Sequence, residues 1–192
     1  MLKEKLKKYN IILASGSPRR QQFFKDLDID FSIDVKKVDE IYPSNLKGEE
    51  ITDYLADLKS KAFSNLSDND LLITSDTIVW LNNKALGKPK NYQDAQNMLE
   101  NLSGKSHEVI TSVSIKSNKI QRIINDTTKV FFKELTSNEI EYYITNFKPF
   151  DKAGAYGIQE WIGYIGIDKI EGSYFNVVGL PVHKLYKELI NL

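Results

Sequence analysis

Along the chain, short apolar runs alternate with segments whose apolar residues recur every three or four positions. That is the pattern of strands and amphipathic helices in succession. Residues 10–14, Asn-Ile-Ile-Leu-Ala, predict a buried strand. Ser17 then suits a helix N-cap and Pro18 the first helical position, where its missing N–H costs nothing, so a helix is expected through Leu27. Residues 31–35 alternate like a strand, and Ile51, Tyr54, Leu55, Leu58 and Ala62 give residues 49–63 a helical stripe. Residues 71–81 read as a strand interrupted by the polar residues Thr74-Ser75-Asp76-Thr77, with a hairpin turn at Asn82-Asn83. Ala95, Met98, Leu99 and Leu102 share one face of a helix over residues 91–102, which Ser103-Gly104 ends. Strands are expected over residues 108–116 and 121–132, joined at Ser117-Asn118-Lys119. A capping box, Thr136 to Glu139, opens a helix through Phe147. Gly154, Gly157, Gly163 and Gly166 punctuate a loop and a strand around residues 158–170, and residues 183–192 form a closing helix. Hairpin-joined and crossover-joined strands occur together. The expected class is therefore α/β, a mixed twisted sheet with flanking helices, in a single domain of residues 1–192.

Composition narrows the chemistry. At 192 residues, 41% of them hydrophobic, the chain can bury a core without covalent staples. It has no cysteine, which excludes disulfides, thiolate zinc sites and cysteine nucleophiles. His107 and His183 are its only histidines, too few for a histidine metal cage. The 26 basic and 26 acidic residues cancel, which argues against a long nucleic acid gripped through many phosphates. A small anionic ligand needs only a few local cations. The basic first ten residues are read as a solvated lead-in turn in preference to a membrane anchor. The apolar run at residues 11–14 is too short for a signal-peptide core or a membrane span, so a cytoplasmic protein without a membrane partner is expected.

Several constellations carry candidate chemistry. In Ser15-Gly16-Ser17-Pro18-Arg19-Arg20, free N–H groups at a helix start, a glycine open to a ligand and two forked donors suit a phosphate. The same residues would also serve a capped helix with solvated arginines. Four polar residues inside the strand at residues 74–77 are costly to bury unless paired or employed; Asp76 there can hold a divalent cation or take a proton from water. Lys88 follows the hairpin as a candidate triphosphate clamp or a solvated loop lysine. Glu40 and Lys59 are unremarkable alone. Residues 151–159 form a glycine-rich turn that either admits a flat base or packs tightly, and residues 172–181 read as a packed helix and turn. A serine-hydrolase elbow and a Walker loop are both absent.

Taken in order, residues 13–20, Ser75-Asp76-Thr77, residues 86–90, residues 102–109, residues 152–159 and residues 172–181 resemble the blocks of the Maf family of nucleoside triphosphate pyrophosphatases. The resemblance covers Ile12 to about Val182. It implies an elongated two-lobed fold like that of inosine triphosphate pyrophosphatases, with the active cleft between the lobes. It also implies that Asp76 is the catalytic proton acceptor and that Ser17, Arg20, Glu40, Lys59 and Lys88 bind substrate. A divalent cation, Mg²⁺ or Mn²⁺, is implied as well, with Asp76 and Glu40 as the expected ligands. Arg19, Thr77 and Gln159 match the specificity combination of the branch acting on dTTP and UTP, with modified pyrimidine nucleotides as further candidates. The family often has glycine-glutamate-proline where Phe147-Lys148-Pro149 stands here, which exchanges a charge at the expected rim. The expected partners are a nucleotide and at most a second copy of the chain, as a homodimer. The alternative from another class is a nucleotide-sensing regulator of cell division, which would bind nucleotide without releasing pyrophosphate.

Overall fold

The computed structural model describes residues 1–192, which divide into two compact units. The first comprises Met1–Asp76, Thr111–Asp126 and Gly179–Leu192, and the second Thr77–Ile110 and Thr127–Val178. In chain order the elements begin with α1 (Leu2–Leu6), β1 (Asn10–Leu13), α2 (Pro18–Asp26), β2 (Ser32–Ile33), α3 (Glu49–Lys61) and β3 (Asp70–Leu81). They continue with β4 (Lys84–Leu86), α4 (Tyr92–Leu102), β5 (Ser106–Lys116), β6 (Gln121–Phe132) and α5 (Ser137–Phe147). The last are α6 (Trp161–Gly166), β7 (Ile167–Glu171), α7 (Tyr174–Val178) and α8 (Val182–Ile190). The strand order is β2-β1-β3-β5-β6-β7, with β4 paired to β3. β1 runs parallel to β2 and β3, whereas β3–β4 and β6–β7 are antiparallel, so the sheet is mixed, as the hydrophobic pattern predicts. No helix is long and apolar enough to cross a membrane.

In the first unit Leu13, Phe24, Leu71, Ile73, Leu185 and Leu189 form an apolar core. The opening residues join it, which corrects the expectation of a solvated turn. Leu2 and Leu6 lie four apart on one helical face and are both buried, and the lysines stand around them. α3 meets its strands differently. Thr52, Ser60, Thr74, Ser112 and Ser114 are fully buried polar residues. Ser112 Oγ lies 2.6 Å from both Thr52 Oγ1 and Asp53 Oδ1, and Gln121 Nε2 donates to Asp57, Ser60 and Ser114. Directional bonds of this kind fix one register where apolar packing alone would let a helix slide. β2 is shorter than expected, two exposed residues paired only to β1 at the sheet edge.

In the second unit Val79, Leu99, Leu102, Val130, Tyr143 and Ile162 belong to a separate core. Asn82 and Asn83 have φ of 50° and 59°, the left-handed pair of a two-residue hairpin. The capping box opening α5 is present at Thr136 and Glu139. The strand expected around residues 158–170 begins only at Ile167. Residues 161–166 are helical because Ile162 and Gly166 turn inward together, and a Cβ at Gly163 would sit 1.8 Å from the Ile158 carbonyl oxygen.

Candidate active site

β3 is continuous through Thr74-Ser75-Asp76-Thr77, and Asp76 is buried. Side chains alternate along a strand, so Thr74 and Asp76 point to the same face, the one covered by α3. Thr74 Oγ1 donates to the Ala56 carbonyl of α3 at 2.6 Å. Three residues further along that helix, Lys59 reaches Asp76, with Nζ 2.6 Å from Oδ1. The same ammonium lies 2.9 Å from Glu40 Oε1 and donates to the Ser75 carbonyl at 3.4 Å. Glu40 comes from the irregular segment between β2 and α3, and its side chain is half exposed. Glu40, Lys59 and Asp76, distant in sequence, thus form one cluster.

The electrostatics of Asp76 are set by opposing causes. Burial pushes its carboxyl above the usual carboxylate range, and Glu40 pushes the same way, while the Lys59 ammonium and Arg20 favour the charged form. A buried carboxylate raised in this way is a better proton acceptor than a solvated one. Arg20, in the first turn of α2, donates from Nε to the Gly179 carbonyl at 2.8 Å and from Nη1 to the Ser75 carbonyl at 3.0 Å. Nη1 also lies 3.4 Å from Ser15 Oγ. Gly179 has φ of +119°, a conformation that disfavours side chains, and this turn delivers its carbonyl to the guanidinium. The segment at residues 172–181, read from sequence as packing, therefore helps to hold a site residue. Burial pulls Arg20 down to about 10, so it is charged at neutral pH.

Ser17 occupies the N-cap position of α2 with extended backbone, but its side chain makes no capping bond, contrary to the expected role. A Cβ at neighbouring Gly16 would meet nothing within 4 Å, so the backbone beside the helix start is open to close approach. Arg19 is half-buried on α2.

The remaining candidates belong to the second unit. Thr77 follows Asp76 on β3 and is half-buried, and Lys88 is exposed just after β4. Gln159 has a side-chain oxygen that is buried without a donor. Sequence reasoning missed what shapes its loop. Lys152 is buried and paired with Asp151 at 2.7 Å and Glu160 at 2.9 Å, while the Tyr143 hydroxyl joins Glu160 and accepts the Gly157 N–H at 3.0 Å. Burial raises the Tyr143 phenol, and its bond to Glu160 adds to this, so it remains a neutral donor. Lys148, which stands where the family often has glutamate, is exposed and caps α5 with φ of 47°.

No group of three or more carboxylate or imidazole side chains stands ready to hold a metal ion. Asp76 and Glu40, with the Ser75 carbonyl between them, are nevertheless hard oxygen donors gathered around one cation, the Lys59 ammonium. A donor set of this size fits Mg²⁺ or Mn²⁺, which take one or two carboxylates and complete their shell with water and substrate phosphate.

Comparison with known proteins extends this geometry. The family model described as Maf-like protein matches residues 10–192. The chain is 64% identical over 190 residues to a dTTP/UTP pyrophosphatase of Christiangramia forsetii, covering 98% of this chain and 97% of that protein. It is 62% identical over 193 residues to a dTTP/UTP pyrophosphatase of Flavobacterium johnsoniae, covering 100% of each. Among solved structures, a HAM1 protein from Coxiella burnetii matches 96% of this chain and 100% of its own, with a TM-score of 0.54 and 16% identity. That similarity is one of fold.

Proposed function

The chain belongs to the Maf-like family, and from that premise we propose that it is a nucleoside triphosphate pyrophosphatase, cleaving dTTP and UTP to the monophosphate and pyrophosphate. The observation that carries the reading is the buried carboxylate of Asp76, held on β3 by Lys59 beside the pinned guanidinium of Arg20. Asp76 orients a water and accepts one of its protons as the water oxygen bonds to the α-phosphorus. The bond from that phosphorus to the bridging oxygen breaks, and pyrophosphate leaves with the electron pair. Arg20, Lys59 and the positive end of α2 at Ser17 stabilise the negative charge that develops on the phosphate oxygens. Lys88, exposed just after β4, adds a cation for the leaving group. A divalent cation, Mg²⁺ or Mn²⁺, held by Asp76 and Glu40, would neutralise the triphosphate further when bound.

Base choice rests on Arg19, Thr77 and Gln159. Uracil and thymine carry an N3–H beside the O4 carbonyl, and the Gln159 amide can pair with that edge, although by flipping it can pair with cytosine too and does not discriminate alone. Arg19 can only donate, which favours a carbonyl at position 4 over the amino group of cytosine. Thr77 shapes the same choice from its place beside Asp76.

The reading is tested by incubating the full chain with Mg²⁺ and excess dTTP, UTP, CTP, GTP or ATP while following pyrophosphate and monophosphate together. Equal yields of the two, fastest from dTTP and UTP, are expected. Binding without pyrophosphate release would identify a sensor and contradict the proposal.

A further inference from the structure

Lys59 has three N–H donors, and the structure gives them three oxygens: Asp76 Oδ1 at 2.6 Å, Glu40 Oε1 at 2.9 Å and the Ser75 carbonyl at 3.4 Å. Two carboxylates and a carbonyl are also the oxygen types that a divalent cation takes. The Lys59 side chain is largely buried, at 18% exposed, and Asp76 more so at 9%, so the pair is shielded from solvent screening. Arg20 donates to the same Ser75 carbonyl at 3.0 Å, placing a second fixed cation beside the first. A free metal ion approaching Asp76 and Glu40 therefore meets two positive charges, one of them already seated among its prospective ligands.

Resting on the proposed function, we propose that Lys59 occupies the cation position in the free chain, so that the carboxylates take up a divalent cation only once a triphosphate has drawn Lys59 away. The triphosphate supplies the negative charge that draws the Lys59 ammonium off the carboxylates and onto phosphate oxygens. Asp76, whose ammonium partner has moved, is opened to the incoming cation in the same event, with Glu40 beside it. Lys59 thus serves in turn as counter-ion and as substrate ligand, and the carboxylates are never left unpaired in a buried setting, which would be costly.

Equilibrium dialysis that counts protein-bound Mn²⁺ tests this without turnover. The wild-type chain is expected to take up Mn²⁺ weakly alone and much more tightly with the α,β-methylene analogue of UTP. Lys59→Met keeps the length and removes the charge; it should tighten Mn²⁺ binding in the absence of nucleotide by about tenfold or more. Adding Asp76→Asn to that variant should abolish the gain, which locates the ion. The inference is overturned if the wild type binds Mn²⁺ equally well with and without the analogue. It is also overturned if Lys59→Met, folded by its melting transition, binds Mn²⁺ no tighter. Pyrophosphate release reads the proposed function separately: turnover with tight Mn²⁺ binding before nucleotide would break this inference alone.

Discussion

Thr74 Oγ1 donates to the Ala56 carbonyl at 2.6 Å, and this bond sets the helix that carries Lys59 against the strand that carries Asp76. Thr74 is fully buried and stands two residues before Asp76 on its strand, while Ala56 stands three before Lys59 on its helix. Removing the hydroxyl should disturb the Lys59–Asp76 pair without touching either residue. Thr74→Val is expected to cost about 1 kcal/mol of stability. It should lower kcat by about 10- to 100-fold, since small displacements of catalytic groups are expensive. Thr74→Ser should restore most of the rate. Unchanged kcat in a destabilised Thr74→Val would show that the bond serves folding only.

Asp76→Asn keeps the shape of the side chain and removes its charge. Turnover should fall by about a hundred- to ten-thousand-fold, the usual contribution of a general base. Lys59 retains Glu40 as a partner, so the melting temperature should change little. A variant turning over at near the wild-type rate would remove Asp76 from the mechanism.

Much of this site was legible in the residues, but not its wiring. Polar Thr74-Ser75-Asp76-Thr77 inside an apolar run marked Asp76, and helical spacing placed Lys59 correctly on α3. Their ion pair joins residues 17 apart, and the Arg20–Gly179 bond joins residues 159 apart. No local periodicity encodes contacts of that kind. The Tyr143–Glu160–Lys152 network was invisible for the same reason, because Tyr143 reads as one more apolar position of α5. Ser17 failed in the other direction: its type suits a cap, but the backbone leaves its hydroxyl without that bond.

His107 predicts an acid limit on stability. Its Nε2 lies 2.7 Å from the Tyr156 hydroxyl, Nδ1 is buried without a partner, and burial pushes the imidazole down to about 4 from 6.5. The unfolded chain therefore binds the proton more readily across that window, so stability is full above pH 6.5 and falls as pH drops towards 4. The loss attributable to His107 should reach about 3 kcal/mol at the acid end. In His107→Gln, denaturant melts between those limits should show a flatter pH dependence. An equally steep fall in that variant would place the acid sensitivity elsewhere.

Arg19 predicts a change in preference rather than in chemistry. Arg19→Ala should lower kcat/KM for UTP far more than for CTP, narrowing the ratio between them, because a site built on polar pairing rejects a mismatched partner strongly. The thymine methyl should matter little, leaving dTTP and UTP similar. A wild-type chain that hydrolyses CTP as readily as UTP would refute the specificity assignment while leaving the reaction intact.

The most direct test of the central claim is to hydrolyse UTP in ¹⁸O-labelled water and locate the label by mass spectrometry. Attack of water at the α-phosphorus, with Asp76 taking the proton, puts one labelled oxygen into UMP and none into the pyrophosphate released with it. Label in pyrophosphate would mean attack at the β-phosphorus. Label in inorganic phosphate, with UDP as the other product, would mean a γ-phosphatase, and either result would contradict the reaction proposed for this site.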